Sequence, residues 1–118
     1  MKRFVAIYLG TKTGPARAQW DKLDDATRKQ REAEGMKAWM QWGEKNASAI
    51  ADAGSPLGKT KRAARDGIAD TTNNVVAYAI VQAESHEAAA QLFANHPHFS
   101  IFPGDAVEIM ECLPLPAR

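Results

Sequence analysis

The sequence predicts an α+β domain in which two helices lie on one face of a four-stranded antiparallel sheet, the ferredoxin-like βαββαβ order. Three observations lead there. Short apolar runs rich in β-branched and aromatic residues stand at the start (KRFVAIYLG), beyond the middle (VVAYAIVQA) and near the end (DAVEIMECL). Helical spacing fills the chain after the first of these and again between the last two. No interior segment reads as a linker, so residues 1–118 are expected to form one domain.

Taken in order, the opening strand runs to Gly10, with Phe4, Ala6 and Tyr8 facing one way and Val5, Ile7 and Leu9 the other. Both faces are apolar. Gly14-Pro15 then punctuates the chain and places Pro15 in the first turn of a short helix. Between Asp21 and Glu34 charges dominate, and Trp20, Leu23 and Ala26 mark the apolar side of a surface piece. Met36, Trp39, Met40, Gly43, Ala47, Ile50 and Ala51 recur at steps of three and four, which predicts a helix over Met36–Ala53 with Gly54 as its C-cap. The N-terminal half of that helix, carrying the large side chains, is expected to do most of the packing.

Leu57–Ala64 is expected to be the next strand, followed by turns at Asp66-Gly67 and Asn73-Asn74 that make a hairpin-like connection. Val75–Ala83 is the strongest strand pattern, apolar on both faces until Gln82, and reads as central and covered on both sides. Ser85 can N-cap a helix whose inner side is Ala88, Ala89, Leu92 and Phe93, and Pro97 is expected to stop it. The last strand puts Val107 and Ile109 on one face and Glu108, Met110 and Cys112 on the other. The tail PLPAR should be extended.

Two crossover helices cover one face of such a sheet, yet the first and third strands are apolar on both. Five or six exposed apolar strand residues would leave a patch of roughly several hundred Å², more than monomers usually carry. A second copy of the chain, packed on the open sheet face as a homodimer, is the simplest cover. The alternative is that the long connection Lys12–Glu34 folds back over that face.

Hydrophobic residues make up 45% and charged residues 25%, as in soluble globular proteins. A formal charge of +1 leaves no electrostatic footprint for nucleic acid. The local exception, Lys59, Lys61, Arg62 and Arg65, reads as a solvated strand edge, with an anionic ligand as the alternative. The single cysteine, Cys112, excludes an internal disulfide framework and lacks the neighbours of a zinc site. The apolar run FVAIYLG is too short for a signal segment or a membrane span. The expectation is a cytoplasmic, soluble protein with no membrane or nucleic-acid partner.

Chemistry concentrates in NHPHFSIFPG, Asn95 to Gly104. His96 and His98 are the candidate catalytic residues, because an imidazole with an ordinary pKa of about 6.5 needs little perturbation to exchange protons near neutrality. His98 stands ahead, lying beyond the expected helix end; the competing structural reading has His96 satisfying carbonyls at that end. A metal would need a third ligand from Asp105, Glu108 or Glu111, and the fixed geometry of Pro97 does not obviously aim both rings at one ion, so neither metal nor cofactor is expected. Trp39 and Trp42, with Met36 and Met40, are candidates to line an apolar ligand pocket, although helical spacing favours plain core for Trp39 and Met40, and Trp42, off that stripe, is a pocket or interface residue or simply partly exposed. Tyr8 can orient a ligand through its hydroxyl, against the favoured structural reading of a buried tyrosine with one hydrogen bond. Ser85 and Cys112 have no base at nucleophile spacing and read as cap and core, and no glycine-rich phosphate loop is present.

KRFVAIYLG, YAIVQAESHEAAAQLFANHPHF and PGDAVEIMECLP together resemble the YCII-related proteins, also described as DGPF-domain proteins. The resemblance spans most of the chain. It implies a ferredoxin-like fold assembled as a dimeric α/β barrel, and a pocket between sheet and helices in which enzyme activity is suspected. Asp66-Gly67 is followed here by Ile68-Ala69, not Pro-Phe, and no histidine precedes His86, so the early His-Asp pair proposed in some members has no counterpart. Two functional classes follow. One is a small enzyme doing acid-base chemistry with His98, assisted by His96 or Tyr8, in a pocket between the sheet and the Met36–Ala53 helix. The other is a non-catalytic ligand-binding or protein-interaction module whose histidines are structural.

Overall fold

The computed structural model describes residues 1–116 of the chain; the end of the PLPAR tail lies outside them. Strand β1 (Lys2–Leu9) leads into helix α1 (Pro15–Asp21) and the long helix α2 (Asp25–Lys45), and a single 3-10 turn at Ala47–Ala49 precedes β2 (Ile50–Pro56). A hairpin of β3 (Thr60–Ala64) and β4 (Gly67–Thr71) follows, then β5 (Val75–Ala83), α3 (His86–Gln91), the single turn α4 (Pro97–Ser100) and β6 (Ala106–Glu111). The main sheet is antiparallel throughout and ordered β2-β5-β1-β6. Its strands thus stand in the ferredoxin-like arrangement, with the first and third strands of the sheet in the middle.

The order of elements matches expectation, but two of them sit elsewhere. Helix α2 starts at Asp25, where Asp24 caps it by accepting from the Thr27 amide at 2.7 Å, and it ends at Lys45 instead of running to Ala53. Asn46 to Ile50 tighten into the 3-10 turn, and Ile50–Pro56 become the edge strand of the sheet. Gly54 is therefore no helix cap. Its φ of +71° serves a bulge in β2, and a side chain there would run into the Tyr78 carbonyl. A left-handed glycine after an apolar stripe fits either ending, which is why the helical reading ran on. Leu57–Ala64, expected as a sheet strand, instead supplies β3 of a separate two-stranded arm.

The core lies on the helix side of the sheet. Register places Phe4 opposite Val81, Ala6 opposite Ala79 and Tyr8 opposite Ala77, and all six are buried. Ala89 and Phe93 of the α3 region cover this face, and Ile109 and Val107 extend it onto β6. The opposite face carries Val5, Ile7, Tyr78 and Ile80, all half-exposed, with Met110 more open still. So β5 is central but covered on one side only within the chain. The Lys12–Glu34 connection does not close the gap, because Trp20 packs against Phe102, which itself lies against Trp39 on the helix side. Cys112 is likewise exposed and not in the core.

Ser85 caps α3 as expected, accepting from the Ala88 amide at 3.1 Å. The helix ends at Gln91, however, before Pro97 can stop it. The chain turns through Asn95, at φ +57°, and Pro97 occupies the first position of α4, where its missing amide costs nothing. His96 thereby becomes a cap at the start of a turn rather than a group at the end of a helix. No helix among the described residues is long and apolar enough to cross a membrane.

Candidate active site

The sheet face under the helices is unusually small in its side chains. Ala6, Ala77 and Ala79 leave room above them, and rings fill it. Tyr8 stacks on Trp39 with centroids 5.2 Å apart and meets the edges of His96 at 5.2 Å and His98 at 5.3 Å. Trp39 and Trp42 both stand edge-on to His96, at 4.5 and 4.6 Å. All five residues singled out from the sequence, Tyr8, Trp39, Trp42, His96 and His98, therefore meet in one cluster, although they come from three separate parts of the chain.

The hydrogen bonds fix proton positions. His96 is fully buried, and its Nδ1 accepts from the His98 amide at 3.0 Å, so the ring nitrogen left to carry a proton is Nε2. That Nε2 lies 3.3 Å from the Tyr8 hydroxyl and donates to its oxygen. Burial, with the neighbouring His98 adding to it, pushes the His96 pKa down to about 4, so the ring is neutral at physiological pH. The Tyr8 hydroxyl, whose pKa burial pushes up, stays protonated, and with its oxygen already accepting it retains its own proton to donate.

His98 is held differently. Its Nε2 donates to the Leu9 carbonyl at 2.7 Å, at the end of β1, which leaves Nδ1 as the basic nitrogen. Among the described residues Nδ1 has no hydrogen-bond partner, and it is not sealed from solvent. Burial lowers the His98 pKa, against the Leu9 carbonyl and the Asp105 carboxylate, which act to raise it. The ring is a neutral base with one end fixed and the other free.

Two glycines that sequence reasoning passed over make this possible. A side chain at Gly104 would overlap the His98 ring and its carbonyl, so the turn after α4 can close over the imidazole only with glycine there. A side chain at Gly35 would overlap the Phe102 ring, so that ring can lie against α2 there only with glycine at the position. The Pro103-Gly104 pair was visible as a turn signal; its contact with His98 was not.

A cleft of about 560 Å³ opens between α2, β2 and β5 beside this cluster. Tyr8, Trp39, Trp42 and His98 line it together with Met36 and Met40, whose exposure on α2 marks them as cleft wall and not core. It is the pocket expected between sheet and helix, with the helix now ending at Lys45. His96 stands behind it, reaching the cleft through Tyr8. No three His, Cys, Asp or Glu side chains among the described residues gather as a metal site; Asp105 accepts from the Thr11 amide at 2.9 Å, and Glu108 faces the other side of the sheet.

No family model and no curated protein matches the chain. Among solved structures, 5-chloro-2-hydroxyhydroquinone dehydrochlorinase from Burkholderia phenoliruptrix AC1100, in complex with 2,5-dihydroxybenzoquinone, aligns over 91% of this chain and 89% of its own. The identity is 17% and the TM-score 0.49. At that distance the fold rests on the strand order above, and neither substrate nor residue roles pass from one chain to the other.

Proposed function

We propose that the chain is a small YCII-like enzyme that moves a proton within an apolar β,γ-unsaturated carbonyl compound held in the cleft. His98 Nδ1 is the base and the Tyr8 hydroxyl the hydrogen-bond donor. The observation that carries this reading is the unpartnered Nδ1 of His98 in a ring whose other nitrogen is fixed on the Leu9 carbonyl, beside a tyrosine with a proton to give. In the step, a carbon acid loses its proton to Nδ1, the C–H electron pair moves into the adjacent carbonyl, and the developing enolate oxygen receives the Tyr8 hydrogen bond. The imidazolium then returns the proton to a different carbon of the conjugated system, so the reaction is an isomerisation with no external oxidant or reductant. His96 is a positioning residue, since both its nitrogens are engaged and it acts through Tyr8.

The test is solvent-deuterium exchange into a panel of enolisable aryl ketones, followed by NMR for the wild type and for His98→Gln. A glutamine amide can keep the bond to the Leu9 carbonyl while removing the base. Wild-type exchange that falls at least about 100-fold in the variant, with an unchanged circular dichroism spectrum, supports the reading. Binding of these ketones without exchange in either protein would sink it in favour of a non-catalytic binding module.

The open sheet face supports a second part of the proposal, that the working unit is a homodimer formed face to face. Val5, Ile7, Tyr78, Ile80 and Met110 make one apolar surface, and burying it contributes on the order of 25 cal/mol per Å². A light-scattering mass of two chains at micromolar concentration is the expected result.

A further inference from the structure

A second cavity, of about 630 Å³, lies on the other side of His98, bounded by the loop after β1 and the turn before β5. His98, Phe102 and Val76 line both cavities, so the two are separated by little more than the catalytic base and its neighbours. Their polar groups differ. The first is walled by tryptophan and methionine, whereas this one presents Lys12, Arg17, Thr11, Asn73 and Asn74.

The polar groups here are free to act as donors. Asn73 spends its side-chain oxygen on the Val75 amide at 2.9 Å, which leaves its NH₂ group for a ligand. Lys12 forms no ion pair among the described residues, and the Arg17 Nε contact to Asp21, at 3.2 Å, leaves other guanidinium N–H groups available. The nearby carboxylate, Asp105, faces the Thr11 amide and His98.

From this pairing we infer that the ligand is an amphipathic organic acid: an aryl or alkyl body in the Trp39–Met40 cleft, and a carboxylate held past His98 by Lys12, Arg17 and Asn73. The inference rests on the reading of the cleft as the substrate site, and it adds the substrate class. Such a ligand passes the wall formed by His98, so its central carbons lie beside that ring, while cations at one end and rings at the other fix its direction.

The experiment uses 4-phenylbutyrate and its uncharged amide as matched probes, titrated against the intact protein by tryptophan fluorescence. The acid is expected to bind at least about tenfold tighter than the amide, and Lys12→Gln with Arg17→Gln should erase that preference while leaving amide affinity unchanged. His98→Gln should keep the preference, because it concerns binding and not proton transfer. Equal affinities for acid and amide, a preference indifferent to the two substitutions, or no binding of either probe would each overturn the inference. An acid preference in a protein that exchanges no deuterium would overturn the proposed isomerisation and leave the bipartite site standing.

Discussion

The two faces of the main sheet are built from the same strands and are both apolar at their centre, yet they have different destinies. Toward the helices stand Phe4, Ala6, Tyr8, Ala77, Ala79 and Val81, mostly small, so that rings from α2 and the α4 loop can lie close to the backbone. Away from the helices stand Val5, Ile7, Tyr78, Ile80 and Met110, larger and half-open. The first face makes a cavity with a base in it; the second makes a surface. Side-chain size, more than hydrophobicity, separates a face that holds a ligand from one that awaits a partner.

That comparison is broken most sharply on the helix face by acid. His96 is neutral in the fold, with its pKa lowered to about 4, but titrates near 6.5 once unfolded. The unfolded chain therefore binds the extra proton, and stability is fully present above pH 6.5 and is lost as pH falls toward 4. The loss from His96 amounts to roughly 3 kcal/mol, with His98 adding in the same direction. Urea melts at pH 7.5 and 4.5 measure it, and His96→Asn should flatten the dependence.

Next in size is Gly104→Ala, whose new methyl group must displace the His98 ring. A cost of about 1–3 kcal/mol in thermal or chemical melts is expected, together with loss of deuterium exchange. On the other face, Ile80→Lys should turn the proposed dimer into a monomer in light scattering while leaving the fluorescence of Trp39 and Trp42 unaltered. A change in both readouts would mean that the faces are not independent. The smallest effect belongs to neither face: Lys61→Ala in the β3–β4 arm breaks an exposed 2.6 Å pair with Asp70 and should shift stability by less than about 1 kcal/mol.

Much of this was legible in the sequence, for physical reasons that differ by element. Strands β1 and β5 announce themselves because a strand apolar on both faces has no helical alternative at that length. The site residues were legible as residue types: two histidines around a proline, and two tryptophans on a helix. Their meeting was not, because it depends on Ala6, Ala77 and Ala79 being small opposite them and on Gly35 and Gly104 admitting Phe102 and His98. The end of α2 was misread since Ile50 and Ala51 continue the helical spacing by coincidence, while Ile50 is half-buried through its pairing with Val81 of β5 and Ala51 is exposed. Likewise His96 looked like a C-terminal group because α3 stops at Gln91 through its own turn, with no proline or glycine to mark it.

The measurement that tests the central claim most directly is a long-range ¹⁵N–¹H correlation spectrum of the histidine rings at pH 7. The account predicts neutral His96 and His98, each with its proton on Nε2, and an Nδ1 signal of His98 that alone moves when an aryl acid is added. A protonated His98, or one carrying its proton on Nδ1, would contradict the assignment of that nitrogen as the base.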